Sequence, residues 1–205
     1  MFRPTRRALL VGAGASLGGA LAGCLGDDGG GDTVDDLPVP TVGADDAPVT
    51  LEVYVDFSCP HCRSFEMEVL PQLRENYIDP EVARYRHRDY PIPVDERWSW
   101  EVASGMRAVQ DEAGDAAFFE AAAAIFEHQG EYSYGAIETV GDEAADVGEA
   151  ARDAAEAETY RPVVESDREH GDDAGVPGTP AVFVDGELLQ SYDYQSVESA
   201  IEDAR

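Results

Sequence analysis

Asp56-Phe57-Ser58-Cys59-Pro60-His61-Cys62 marks the point in this chain where a strand pattern gives way to a helical one. Immediately upstream, Val49-Thr50-Leu51-Glu52-Val53-Tyr54-Val55 is a β-branched and aromatic run typical of a strand near the middle of a sheet. From Pro60 onward, Cys62, Phe65, Val69, Leu73 and Tyr77 recur at spacings of three and four, which predicts a helix over 60–78 that buries one face and kinks at Pro71. Cys59 therefore falls at a helix N-terminus, with Pro60 at the first helical position, where its missing N–H costs nothing. Unpaired N–H groups and the positive end of the helix dipole favour a thiolate there. Two intervening residues let Cys62 turn back toward Cys59, so the pair can close a Cys59–Cys62 disulfide or resolve a mixed one. His61 adds a titratable ring that favours the thiolate when protonated.

A Cys-x-x-Cys is equally half of many zinc sites, but tetrahedral zinc needs a second pair of ligands. None is present: Cys24 lies far upstream, and His87, His128 and His170 stand singly. The pattern points to redox chemistry, with Cys59 as the attacking thiolate and Cys62 as the resolving thiol.

Far downstream, Gly178-Thr179-Pro180 leads into Ala181-Val182-Phe183-Val184-Asp185-Gly186. Cys-Pro-His-Cys after an apolar strand, paired with this distant Gly-Thr-Pro, resembles the DsbA-like disulfide oxidoreductases. Ala47-Pro48-Val49, Arg88-Asp89-Tyr90-Pro91, Phe118 and Ile125-Phe126-Glu127 are further matches, and the resemblance covers about residues 43–205. It implies an α/β thioredoxin fold, a central mixed sheet flanked by helices, with an inserted helical subdomain. It also implies that Pro180 is cis and lies against the dithiol, and that Thr179 presents its backbone to a substrate peptide. No metal or organic cofactor is implied. The sequence departs from the best-known periplasmic members at Val53, where the resemblance suggests an acidic residue. Asp56 is left with three candidate roles: raising the thiol pKa by repulsion, relaying protons to Cys62, or capping the helix start.

Residues 1–23 read as a targeting segment. Thr5-Arg6-Arg7-Ala8-Leu9-Leu10 has the form of a twin-arginine export signal, and Leu21-Ala22-Gly23-Cys24 resembles a lipobox whose cleavage would leave lipid on Cys24. An uncleaved anchor over the uncharged stretch 8–25 is the alternative. Either places the domain outside the cell membrane, tethered to it, where disulfides persist. Residues 24–47, rich in Gly and Asp, have too little apolar surface to fold and read as an acidic tether reaching on the order of tens of Å.

Residues 48–205 are one domain's worth of chain. Val82 to Tyr90 alternates in the manner of a strand exposed on one side, with Arg84, Arg86 and Arg88 on one face, read as partners for acids. Between about 96 and 170 the sequence is alanine-rich and helical, with Gly114, Gly130 and Gly141 as breaks. It closes with strand 181–184, a turn at Asp185-Gly186, strand 187–189 and helix 194–204.

The chain carries 43 Asp and Glu against 14 Lys and Arg, net −29, and no lysine; cleavage before Cys24 removes three arginines and no acid, leaving −32. Such charge excludes nucleic acid as a partner. The acids are spread along the sequence, which fits a protein of molar salt, where screening acts within about 3 Å, better than one acidic face for a basic partner. The expected function is an extracytoplasmic thiol–disulfide oxidoreductase, a monomer, acting on exported cysteine-containing proteins and reoxidised by a membrane redox partner. A reductase or isomerase of the same fold, or a non-catalytic binding lipoprotein, is the alternative.

Overall fold

The computed structural model describes residues 33–92 and 94–205. The signal segment expected over 1–23 and Cys24, the expected lipid-attachment site, lie outside the described residues. Among those described, no helix is long and apolar enough to cross a membrane.

One mixed sheet carries the fold, in the order β1-β3-β2-β4-β5. Its strands are β1 Thr41–Val42, β2 Val49–Val55, β3 Ala83–Asp89, β4 Ala181–Val184 and β5 Glu187–Leu188. The central strand β2 runs parallel to β3, with Val53 opposite His87, and antiparallel to β4, with Val53 opposite Val182. Alternation along β2 sends Leu51, Val53 and Val55 into the main core with Cys62, Phe65, Leu73, Phe118, Phe126 and Ile201. It sends Tyr54 into a second cluster with Tyr90, Ala181 and Phe183 on the opposite face.

The helix expected over 60–78 is a continuous rod of alternating pitch. Helix α1 Pro60–Ser64 and helix α2 Leu70–Leu73 are followed by wider π-helical turns at Phe65–Val69 and Arg74–Ile78. Pro71 lacks the N–H that would bond the preceding turn, and the wide turn over Phe65–Val69 lies directly before it, where its extra residue makes room for the ring. The inserted helical region comprises α3 Trp98–Ala113, α4 Asp115–Glu127, α5 Tyr134–Ala145, α6 Gly148–Ala157 and α7 Arg161–Ala174, and α8 Tyr194–Ala204 closes the chain. Gly114 and Gly130 fall between helices. Gly141 does not: it lies within α5, where a Cβ would sit 2.9 Å from the Gly148 Cα, so its smallness serves the close approach of α5 to α6. Helix α7 covers the second sheet face, and Gly171 lets it lie flat on the Tyr54 and Tyr90 rings, where a Cβ would come within 2.9 Å and 2.6 Å.

The tether expected over 24–47 is part of the fold from Val34 onward. Val34 N–H donates to the Thr159 carbonyl at 2.9 Å, Val34 and Leu37 pack beside Ala108, Ala154, Tyr160 and Val163, and β1 pairs with β3. These few apolar residues suffice because the helices supply the surface they lack. Two of the three arginines of β3 meet acids: Arg86 reaches Glu52 at 3.0 Å, and Arg88 reaches Glu52 at 3.3 Å and Asp167 at 2.6 Å. Arg84 instead bonds Thr50 Oγ1 and the Asp45 backbone carbonyl, which are neutral acceptors.

Behind the main core, Arg107 of α3 is fully buried and bonds Asp89 of β3 at 2.6 Å and Asp167 of α7. Asp89 also meets the buried His87 at 3.2 Å, and the Arg107 guanidinium holds the Asp89 carboxyl below its ordinary range against the effect of burial. This network ties the sheet to the helical insertion.

Candidate active site

Strand β2 ends at Val55 and the chain turns sharply into α1. The turn is closed by the Cys59 N–H donating to the Asp56 carbonyl at 3.0 Å, and by the Asp56 carboxylate accepting from the Ser58 N–H at 2.8 Å. Cys59 is extended, with Pro60 opening the helix. Its carbonyl receives the Arg63 N–H, the first helical bond. Both cysteines are reduced and buried, Cys59 at 3% exposure and Cys62 at 1%.

The sulfurs are not equivalent. Cys59 is lowered to about 5, first by the thiol hydrogen bond from Cys62, then by the Thr179 hydroxyl and by the Cys62 and His61 N–H groups, against the opposing effect of burial. Cys62 is pushed well above the ordinary thiol range, first by burial and then by Cys59 itself. At neutral pH the pair thus shares one proton, on Cys62. Neutral Cys59 directs its S–H to the Thr179 carbonyl at 3.4 Å, and the Thr179–Pro180 bond is cis. The Thr179 hydroxyl is buried without a partner in this neutral arrangement, and so is free to donate once Cys59 ionises.

His61 adds its backbone N–H to the thiolate, while its exposed ring turns toward Tyr192, Nδ1 lying 3.1 Å from the phenol oxygen. Asp56 is buried, accepts from the Ser58 N–H, the Ile92 N–H at 2.8 Å and the Ser99 hydroxyl at 3.1 Å, and offers its own N–H to Cys62 Sγ at 3.4 Å. Burial raises its carboxyl to about 6 in spite of those donors, and the Cys59 charge adds to the rise. Its side chain ties the turn to α3 and does not cap the α1 N–H groups. Val53, where an acid was the family expectation, is wholly buried in the apolar core.

Two residues beside the dithiol carry no motif. Gln129 donates to the carbonyls of Phe57 and Cys59, and the Tyr132 hydroxyl donates to the Phe57 carbonyl at 2.6 Å. Both come from the loop between α4 and α5. Only the position of Gly130 as a helix break signalled a loop there.

Residues 36–203 match a family model described as Thioredoxin, and the chain belongs to the thioredoxin family. Disulfide bond formation protein D of Bacillus subtilis is 25% identical over 170 residues, spanning 80% of this chain and 75% of that protein. A probable disulfide bond formation protein D of Bacillus cereus is 51% identical over 39 residues, 19% of this chain and 18% of that one. Oxidised BdbD from Bacillus subtilis superposes with a TM-score of 0.75 at 23% identity, covering 85% of this chain and 98% of that chain. DsbA of Chlamydia trachomatis does so with a TM-score of 0.73 at 16% identity, covering 84% and 95%. The architecture is that of the DsbA-like branch, a thioredoxin sheet with an inserted helical region.

Proposed function

We propose that the chain is an extracytoplasmic thiol–disulfide oxidoreductase that introduces disulfides into exported proteins, with Cys59 and Cys62 as its redox pair. The placement of Cys59 at the start of α1, its sulfur 3.4 Å from the carbonyl of the cis Thr179–Pro180 bond, carries the redox reading, and the lowered Cys59 thiol favours the disulfide-donating direction. A substrate thiolate attacks Cys59 Sγ of the oxidised pair, the Cys59–Cys62 bond breaks, and Cys62 leaves and takes a proton. A second substrate thiolate then attacks the substrate sulfur of the mixed disulfide, and Cys59 departs as the stabilised thiolate. Two electrons pass from the substrate dithiol to the protein. The low pKa of Cys59 drives the second step, because a good leaving thiolate leaves faster. Thr179 and Pro180 flank the sulfur where a substrate backbone would lie.

The relatives named for disulfide bond formation support the same direction. The Thr5-Arg6-Arg7 and Leu21-Ala22-Gly23-Cys24 patterns support export and anchoring at the outer face of the cell membrane, and with them a membrane redox partner for reoxidation. The net charge of −29 without a lysine supports a setting of molar salt. The test is the reduction potential of the pair, by equilibration with glutathione in multimolar salt. A value near about −120 mV is that of a disulfide donor, and one near about −270 mV would make the protein a reductase.

A further inference from the structure

His61 lies between the two cysteines in sequence, yet its ring is engaged elsewhere. The imidazole is exposed, and the 3.1 Å contact from Nδ1 to the Tyr192 phenol oxygen is its one hydrogen bond among the described residues. The two rings are tilted by 53° with centroids 6.2 Å apart, so they meet through that edge bond and do not stack. Tyr192 is itself held in place. Its ring packs against the main core, and the chain is fastened on either side of it. Before it, the Leu189 N–H donates to the Val182 carbonyl at 2.9 Å; after it, Asp193 caps α8, accepting from the Ser196 N–H at 3.0 Å. Arg63, the other basic residue of α1, is also committed, its Nε donating to the Phe126 carbonyl at 3.0 Å.

We infer that Tyr192 is a positioning residue: by holding the His61 imidazole off the Cys59 sulfur, its phenol makes the pair a milder oxidant than it would be with that ring unrestrained. The inference rests on the oxidoreductase reading above. An imidazole brought to a thiolate stabilises it by a hydrogen bond from a ring N–H, and more strongly when the ring is protonated. A stabilised thiolate favours the reduced form, which is what makes a dithiol pair oxidising. The disulfide has no thiolate for the ring to meet. Neither the phenol nor the imidazole belongs to the sulfur pair, so their bond is open to both redox forms, whereas a bond from the ring to sulfur is open to the reduced form alone. Tyr192 therefore competes with the thiolate for the ring only after reduction. The phenol suits either charge state of the imidazole, donating to a bare Nδ1 or accepting from a protonated one. Contacts of this range persist in molar salt, where screening acts within about 3 Å on charges that stand farther apart.

The test is equilibration with glutathione at neutral pH in multimolar salt, for the unsubstituted protein, Tyr192→Phe, His61→Ala and the two substitutions together. Tyr192→Phe keeps the ring that packs on the core and removes only the hydroxyl. Its equilibrium constant for oxidising glutathione should rise at least about threefold, the worth of one modest hydrogen bond gained by the thiolate. The same substitution made in His61→Ala should leave the constant unchanged, since the two side chains act as one pair. Tyr192 also lines a cleft of about 260 Å³ along the Thr179–Pro180 loop, and an effect exerted through that wall would persist without the imidazole. An unchanged constant in Tyr192→Phe, a fall, or a rise that survives in His61→Ala overturns the positioning role. Failure of the unsubstituted pair to exchange with glutathione at all would overturn the redox reading, and the positioning role with it.

Discussion

Gln129 and Cys59, 70 residues apart in sequence, are joined by a hydrogen bond of 3.0 Å from the side-chain amide to the backbone carbonyl, and the same amide nitrogen reaches the Phe57 carbonyl at 2.8 Å. The helical insertion thereby grips the redox turn by its backbone. Gln129→Glu replaces the donor with an anion close to the thiolate. It should raise the Cys59 pKa by about one unit and cost on the order of 1–3 kcal/mol of stability. The pH dependence of iodoacetamide alkylation reads the first effect and urea denaturation the second. Gln129→Ala, which loses the donor without adding charge, should shift the alkylation midpoint less.

Thr179→Val keeps the shape of the side chain and the carbonyl that faces Cys59, but removes the hydroxyl. The thiolate loses a donor, so the Cys59 pKa should rise from about 5 and the pair should become less oxidising. At neutral pH each unit of that rise should lower the reduction potential by about 30 mV. Glutathione equilibration would show it, and an unchanged potential would remove Thr179 from the account of the thiolate.

With Cys59 at about 5 and Cys62 far above the ordinary range, reduction at neutral pH takes up two electrons and one proton. The potential should therefore fall by about 30 mV per pH unit above pH 5, steepening to about 59 mV below it. A slope near 59 mV at pH 7 would mean that both sulfurs are protonated there.

The Asp56 carboxyl is raised by burial to about 6. A group held above its unfolded value contributes stability that is present below the unfolded pKa and is lost as pH rises through the folded one. The Asp56 contribution should thus fall by on the order of 2–3 kcal/mol between pH 4 and 7. The lowered Cys59 thiol of the reduced protein works in the opposite direction above about pH 5. Asp56→Asn should shift the pH slope of stability upward by the Asp56 amount. Glu66, buried in the main helix rod and pushed to about 7 for the same reason, should leave part of the slope in place. Urea denaturation at the two pH values gives the comparison.

Arg107 is fully buried between Asp89 and Asp167. Arg107→Met takes from two buried carboxylates their shared guanidinium, leaving Arg88 beside Asp167 and His87 beside Asp89, and should cost about 3–5 kcal/mol, measured by denaturant midpoint. Substituting Arg107, Asp89 and Asp167 by apolar residues of like volume should recover most of that loss.

Local chemistry made much of this molecule legible. Strand β2, strand β3 and the turn at Cys59 follow from alternation, β-branched content and a proline at the first helical position, all written within short stretches. The placement of Thr179 and Pro180 beside the dithiol came through a motif and not through periodicity. What was not legible depends on contacts between distant segments. Gln129 is an ordinary loop residue until the fold brings it to Cys59, and the burial of Arg107 is set by three elements at once. Gly141 looks like a helix break in sequence, yet packing of α6 makes it a helix interior. Val34 and Leu37 sit in an acidic, glycine-rich stretch, and only the helices they meet give them a place in a core.

Strand β1 is two residues long, yet together with the Pro40 carbonyl, which accepts from the His87 N–H at 3.0 Å, it occupies the outer edge of β3. That edge would otherwise present a row of open backbone donors and acceptors, the template on which sheets of separate molecules join. The approach to the domain therefore doubles as a guard against self-association. Proteolytic trimming up to residue 33 should yield a dispersed protein, whereas trimming past Val42 should yield one that self-associates through β3, even with its dithiol intact.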